Sequence, residues 1–195
     1  MNEHVVTTRQ GRIIEDPPLA RFLFGDTRMA SVWLVIRVLV GAYWLHAGLE
    51  KLDNPAWTHT GQALKGFWTA AVQVPATGRP PIAYAWYRSF IQGLLDAGAY
   101  TWFAKLVVAG ELLVGIALII GAFVGIAAFF GAFMDLNYIM AGSASVNGLL
   151  GMAGILLILA WKVAGYYGAD YYLLRWLGTP WHSRNEDKPP AADHS

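Results

Sequence analysis

Apolar residues run almost without interruption through long stretches of the chain. Residues 30–50 can cross a hydrocarbon core of about 30 Å as a helix that rises about 1.5 Å per residue. Residues 102–161 offer room for three more crossings and contain only three charged side chains: Lys105, Glu111 and Asp135. Gly- and Ser-rich breaks divide this region at residues 121–125 and 141–147. The pattern predicts transmembrane helices over residues 30–50, 102–120, 125–141 and 147–164.

The segment between the first two predicted crossings, residues 51–101, is not a plain linker. Two parts of it carry apolar side chains at helical spacing, first at Leu64, Phe67, Trp68 and Ala71 and then at Trp86, Phe90, Leu94 and Leu95. A Pro- and Gly-rich corner separates the two parts, and neither helix can continue through it. We expect two amphipathic interfacial helices that form an extracytoplasmic cap on a four-helix bundle.

Basic residues indicate the orientation. Residues 9–28 and 162–188 hold eight of the fourteen Lys and Arg residues, and the positive-inside rule assigns such segments to the cytoplasm. Four crossings bring both termini to that side. We expect a multi-pass protein of the plasma membrane, all-α in class. Its predicted parts are a cytoplasmic N-terminal tail (1–28), a four-helix transmembrane domain (29–165), and an interfacial segment with a disordered C-terminal tail (166–195).

Composition excludes several classes of protein. With 56% hydrophobic and 14% charged residues the chain does not suit a soluble surface, and a net charge of +1 provides no basic field for nucleic acid. Zero cysteines exclude disulfides, thiolate metal sites and iron–sulfur clusters. Only His46 lies within a predicted crossing, which excludes a bis-histidine haem within the chain. We expect the lipid bilayer as partner and no haem, cluster or metal.

Polar side chains inside the predicted crossings carry the functional information, because each ionised one costs about 2.5–3.5 kcal/mol near the bilayer centre. Glu111 lies near the middle of its helix, so its short side chain must face the bundle interior. Its candidate partners are Arg37, Lys51 and His46. Helical spacing puts Tyr43, His46 and Glu50 on one face of the first helix and Arg37 and Lys51 on another.

These residues suggest a polar pocket that opens outward, binds a quinone head group and exchanges protons with it. The candidate catalytic residues are Glu111, His46 and Glu50. The other pocket candidates are Arg37, Tyr43, Lys51, Asn137 and Asn147. The structural alternative is a set of buried ion pairs and amides that fixes helix register. Glu111 and His46 facing one pocket would favour chemistry, whereas pairing of Arg37 or Lys51 with Glu111 would favour a structural role.

Two blocks of sequence resemble the DoxX and DoxD family of small four-helix membrane proteins. They are RVLVGAYWLHAGLEKL in the first crossing and AGELLVGIALIIGAFVGIAAFFGAFMDLNYIMAG across the second and third. The resemblance covers about residues 30–165, and its most specific parts are the runs around Glu50 and Glu111. It implies either the large, DoxD-type subunit of a thiosulfate:quinone oxidoreductase, with quinone as electron acceptor, or a DoxX-like protein of unsettled function.

The sulfur enzyme would need a site for an anion and a second chain. Four cationic candidates for thiosulfate lie on the cap: His59, Lys65, Arg79 and Arg88. The resemblance also implies a small DoxA-like partner subunit, with a homo-oligomer left open beside it. The alternatives from other classes are a non-catalytic membrane subunit that anchors or assembles a partner enzyme, and a small-molecule permeation module.

Overall fold

The computed structural model describes residues 16–176, and all the regular structure within that range is helical, which confirms the predicted all-α class. A single 3-10 turn, Thr27–Met29, precedes the second helix. The helices are α1 Pro18–Gly25, α2 Ala30–Leu52, α3 Pro55–Thr58, α4 Gln62–Ala71, α5 Ala85–Asp96, α6 Tyr100–Ile120, α7 Val124–Met140, α8 Asn147–Leu159, α9 Trp161–Ala164 and α10 Asp170–Trp176.

Two stretches are long and apolar enough to cross a membrane, namely Thr27–Leu52, which includes α2, and Tyr100–Ile120, which is α6. Helices α7 and α8 are also apolar but have only 17 and 13 residues. The predicted fourth crossing over 147–164 is interrupted, because the chain leaves the helical path at Ala160 before α9 begins. This break turns the end of α9 toward α2, where the Ala164 carbonyl accepts a hydrogen bond from Arg37.

Helices α2 and α6 pack along most of their length and run in opposite directions. Glycines make the close approach possible, since a Cβ on Gly41 would lie 2.9 Å from the Gly115 carbonyl oxygen. A Cβ on Gly48 would lie 2.8 Å from Leu112 Cδ2. Small residues let helix backbones approach closely in membrane proteins, where van der Waals contact is the main attraction between apolar helices.

Helix α7 packs between α6 and α8, and a hydrophobic core joins these helices to α2 and α9. The fully or nearly fully buried members of this bundle core include Trp44, Leu118, Val124, Ala128 and Leu157. The core residues of each helix are three or four positions apart and so lie on one face. A polar residue on that face is buried with them. The candidate site is built from such polar residues.

A second core lies beneath the cap. Helices α4 and α5 pack together there and share the core with the first turns of α6 and the end of α7. Helix α4 buries Leu64, Trp68 and Ala71, as its sequence pattern predicts. Helix α5 differs, since it buries Tyr87 and Ile91 and leaves the predicted Trp86 and Phe90 mostly exposed.

The Tyr87 hydroxyl holds the buried side of α5 against α7. It donates to the Asn137 backbone carbonyl at 3.2 Å and to the Asn137 side-chain oxygen at 3.1 Å. Tyr87 therefore combines ring burial with hydrogen bonds to α7, which Trp86 and Phe90 do not provide in this structure. This contact ties the cap to the helix bundle.

We predict that Gly115→Ala lowers the free energy of unfolding by about 1–3 kcal/mol through overpacking. The added Cβ would lie 2.5 Å from the Leu45 backbone nitrogen, and backbone cannot move aside as a flexible side chain can. Gly148→Ala is the matched control, because that Cβ would meet no atom within 4 Å. Denaturant titration in detergent, followed by tryptophan fluorescence, measures both variants. Equal stabilities would contradict the tight α2–α6 contact.

Candidate functional site

Glu111 is on the buried face of α6, in register with Ala104, Val108, Gly115 and Leu118. Only 1% of its surface is exposed, although it is a carboxylate near the middle of an apolar helix. A buried carboxylate must be paired or hydrogen-bonded, because its loss of hydration is otherwise uncompensated. Its partners therefore decide what this site can do.

Lys51 and Tyr138 provide those partners. Lys51 Nζ donates to both carboxylate oxygens of Glu111, at 2.9 and 2.8 Å, and the Tyr138 hydroxyl donates to Oε1 at 2.8 Å. Of the three candidate partners on the first helix, the structure pairs Glu111 with Lys51. Lys51 comes from the last turn of α2, retains 21% side-chain exposure and lies 5.4 Å from the centroid of the Trp57 ring on α3. The ion pair thus joins the bundle interior to the base of the cap.

Asp135 lies on the same face of α7 as Tyr138, one helical turn away. Its exposure is also 1%, yet neither carboxylate oxygen has a hydrogen-bond partner among the residues that the structure describes. It is near enough to Glu111 for the two negative charges to interact. Across the helix interface it faces Gly151 of α8, where a Cβ would lie 3.4 Å from Asp135 Cβ. We call Lys51, Glu111, Asp135 and Tyr138 the polar cluster.

Sequence reasoning did not include Asp135 or Tyr138 among the site residues. The available signal was their spacing of three, which puts both side chains on one helix face. Asn137, which was included, lies on another side of α7 and contacts Tyr87 of the cap. Asn147 is also separate from the polar cluster, since its side-chain nitrogen donates to the Ser143 carbonyl at the start of α8.

Arg37 lies at the opposite end of the α2–α6 pair. Its guanidinium donates to the backbone carbonyls of Leu118, Ile119, Ala164 and Tyr167. Carbonyls in the last turn of a helix lack partners within that helix, and here the Arg37 side chain satisfies them for both α6 and α9. Its chemistry is therefore capping rather than contact with Glu111. We call this arrangement the Arg37 cap.

Asp170 completes the same end of the bundle. Its carboxylate accepts from the backbone nitrogens of Phe123 and Val124, at the start of α7. A carboxylate is favourable there because it meets unpaired N–H groups and the positive end of the helix dipole. Burial nevertheless raises the pKa of Asp170, and the two backbone hydrogen bonds and the nearby Arg37 offset only part of that effect.

The face of α2 that carries Tyr43, His46 and Glu50 is directed away from the polar cluster. His46 Nε2 lies 3.3 Å from Glu50 Oε1, and both side chains are about seven-tenths exposed. Tyr43 is likewise exposed. The structure brings His46 and Glu50 together with each other but not with Glu111.

The cationic candidates on the cap are dispersed. His59 and Arg79 are exposed, and Lys65 lies 5.1 Å from the centroid of the Tyr100 ring in a shallow groove along α4. Arg88 is in a different groove on α5 and donates weakly to the Ile82 carbonyl. Within residues 16–176 no group of three or more His, Asp and Glu side chains is arranged to hold a metal ion.

The fold and the polar cluster define an all-helical membrane protein with charged groups held inside its bundle. The family model DoxX matches residues 32–144, which is more than half of the chain, and the chain therefore belongs to the DoxX family. All four members of the polar cluster lie within the matched region. No curated protein and no solved structure matches the chain.

We predict strong energetic coupling between Lys51 and Glu111. Lys51→Met should lower the free energy of unfolding by about 3–5 kcal/mol, because it leaves a buried carboxylate without its cation. Glu111→Gln should have a smaller effect, since Lys51 keeps access to water. The double variant should be more stable than Lys51→Met alone. Denaturant titration of all four proteins measures this cycle, and additive effects would show that the pair is energetically independent.

We predict that Arg37→Met reduces stability by at least about 3 kcal/mol, because four carbonyls lose a charged donor. Arg79→Met, at an exposed position of the cap, is the control and should retain the stability of the unchanged chain. The yield of folded protein in detergent and the unfolding midpoint provide the measurements. An Arg37→Met protein as stable as its control would refute the capping role.

Proposed function

We propose that the chain is the membrane subunit of a quinone-linked oxidoreductase. In this proposal it crosses the plasma membrane four times, and both termini lie in the cytoplasm. The observation that carries this proposal is Glu111, a buried carboxylate held by Lys51 and Tyr138 beneath the cap. A quinone partitions into the bilayer, so its head group needs a polar site that is reached from the membrane. The polar cluster has the chemistry for such a site.

Each member of the site has a distinct part in this proposal. The Lys51 ammonium is a donor of the kind that a quinone carbonyl oxygen accepts, whereas the single Tyr138 hydroxyl proton is donated to Glu111 and holds that carboxylate in place. Glu111 can receive or release a proton where Lys51 connects it to the cap side. His46 and Glu50 lie on the outer face of the same helix end, so we assign them proton exchange near the membrane surface rather than contact with the head group.

Thiosulfate is the proposed electron donor, as the DoxD-like resemblance implies. Two thiosulfate ions joined through their sulfurs give tetrathionate and two electrons, and a quinone takes those electrons with two protons to become a quinol. The bond forms between the two substrate molecules, so a chain without cysteine is compatible with this step. Lys65, Arg79 and Arg88 supply positive charge on the cap for the approaching anion, and His59 is the fourth candidate contact there. A small DoxA-like subunit is the proposed partner.

Lys51 pairs with Glu111, and His46 lies outside the polar cluster. By the criterion set out from the sequence, this arrangement favours a second, structural function. A well-formed buried ion pair, together with the Arg37 cap, fixes the register of the helices without any chemistry. On this alternative the chain is a non-catalytic membrane subunit that anchors or assembles a partner enzyme. The two functions differ in one respect, because only the first requires the Glu111 carboxyl to exchange protons during turnover.

We predict that Glu111→Gln remains folded but reduces quinone-coupled turnover by about 100-fold, the usual range for loss of a proton-transferring group. The assay is thiosulfate-dependent reduction of a soluble quinone by the purified chain in detergent, with and without the candidate partner. Quinone absorbance and tetrathionate are measured together. Asp53→Asn, an exposed carboxyl just after α2, is the control and should retain full turnover.

The outcomes separate the two functions. Activity of the chain, alone or with the partner, that falls in Glu111→Gln and not in Asp53→Asn supports the oxidoreductase. Activity with the partner that is equal in the unchanged chain and in Glu111→Gln supports the anchor. No thiosulfate-dependent quinone reduction in either preparation would refute the thiosulfate:quinone reaction.

A further inference from the structure

Asp135 is the unusual member of the polar cluster. Glu111 accepts three hydrogen bonds, whereas Asp135 is equally buried and accepts none among the described residues. An ionised carboxylate without a donor is among the most costly groups to bury in an apolar interior. Two carboxylates in one cluster, with Lys51 as the nearby cation, make a second negative charge still less favourable.

Among residues 16–176, no cation hydrogen-bonds to Asp135, because the nearby Lys51 bonds to Glu111. Helix α8, which packs against the Asp135 side of α7, contains no titratable side chain and presents Gly151. Among the described residues, the titratable groups on α7 or in recorded contact with it are Tyr138 itself, Glu111 with its partner Lys51, Tyr87 beneath the cap, and Asp170 at the other end of the helix. Lys51 and Tyr138 are already engaged with Glu111.

We propose that Asp135 is a proton-binding site inside the membrane, carrying a proton as the neutral acid while its neighbour Glu111 is the ionised member of the pair. The cluster thus holds two carboxyl groups, one cation and one stored proton. Glu111 is the other buried carboxyl of the cluster, and Lys51 connects it to the cap side. This inference does not depend on a quinone, on thiosulfate or on a partner subunit.

A neutral carboxylic acid in an apolar setting has a specific reactivity. Its O–H adds across a C=N bond of a carbodiimide, so that the oxygen bonds to carbon and the proton moves to nitrogen. The resulting O-acylisourea rearranges to a stable N-acylurea, and no oxidant, reductant or further reactant is needed. An ionised carboxylate held by a lysine lacks the proton for this addition. The hydrophobic reagent dicyclohexylcarbodiimide therefore distinguishes Asp135 from Glu111.

The experiment treats the full chain in detergent with dicyclohexylcarbodiimide and locates the adduct by peptide mass spectrometry. We expect labelling at Asp135 and not at Glu111, with labelling that declines as pH rises. Asp135→Asn should lose the adduct, whereas Asp53→Asn, the exposed control, should retain it. In Lys51→Met, the unpaired Glu111 should become neutral, and labelling should appear there as well.

A second measurement removes the question of reagent access. The infrared spectrum of the unchanged chain should contain the C=O band of a neutral carboxylic acid at neutral pH. That band should be lost in Asp135→Asn and persist in Asp53→Asn. Labelling at Glu111 in place of Asp135, or an acid band that Asp135→Asn does not remove, would overturn the proposal. An absent acid band in the folded, unchanged chain would overturn it too. Each of these results leaves the quinone assay unaffected, so the two proposals fail separately.

Discussion

The close contact between α2 and α6 positions the charged groups that these two helices carry, namely Arg37, Lys51 and Glu111. Glycines bring the two backbones together, and the contact has a cation at each end, Arg37 at one and Lys51 at the other. These residues are fourteen positions apart, or about 21 Å along the helix axis. Each cation meets the polar group of α6 that lies at its own level. Arg37 meets the unpaired carbonyls at the end of α6, and Lys51 meets the Glu111 carboxylate.

The two ends satisfy their polar groups to different degrees. At the Arg37 end, the guanidinium donates to carbonyls at the ends of α6 and α9, and the Asp170 carboxylate accepts from backbone nitrogens at the start of α7. At the Lys51 end, Glu111 is fully engaged while Asp135 has no donor. A partly satisfied buried network is expensive, so it is more informative about function than a complete one. This asymmetry favours structure at the first end and proton chemistry at the second.

Hydropathy located the long helices well, because an apolar run of that length has few other stable uses in a chain this poor in charge. The end of α8 at Leu159 was not predicted. The break at Ala160 lets the Ala164 carbonyl of α9 accept a hydrogen bond from Arg37, which is distant in sequence. The side of α5 that packs on the bundle was not predicted, because it depends on the hydrogen bond from the Tyr87 hydroxyl to Asn137 of α7. Such long-range hydrogen bonds leave no periodic signal in the sequence.

The limits were sharper for the candidate site. The burial of Glu111 followed from its position in the helix. Its partner did not, because the choice among the three candidates on α2 depends on which of them lies beside Glu111 when α2 and α6 pack together. His46 and Glu50 illustrate a further limit, because a membrane helix has apolar residues on both its lipid-facing and its interior sides. A polar stripe near a helix end therefore points outward as readily as inward, and here it is exposed.

The position of Lys51 connects the cap to the buried carboxyls. Its ammonium is partly exposed beneath Trp57, yet it bonds both oxygens of a carboxylate that is almost fully buried. An ion pair that serves only to fix helix register does not require contact with water, although the partial exposure of Lys51 lowers its desolvation cost. In the proposed function, the exposed side of Lys51 is where water or a bound group reaches the pair, and Asp135 is the second buried carboxyl of the same cluster. Proton exchange requires this one-sided exposure and a purely structural pair does not, so the exposure is compatible with both functions, whereas full shielding would have excluded the first.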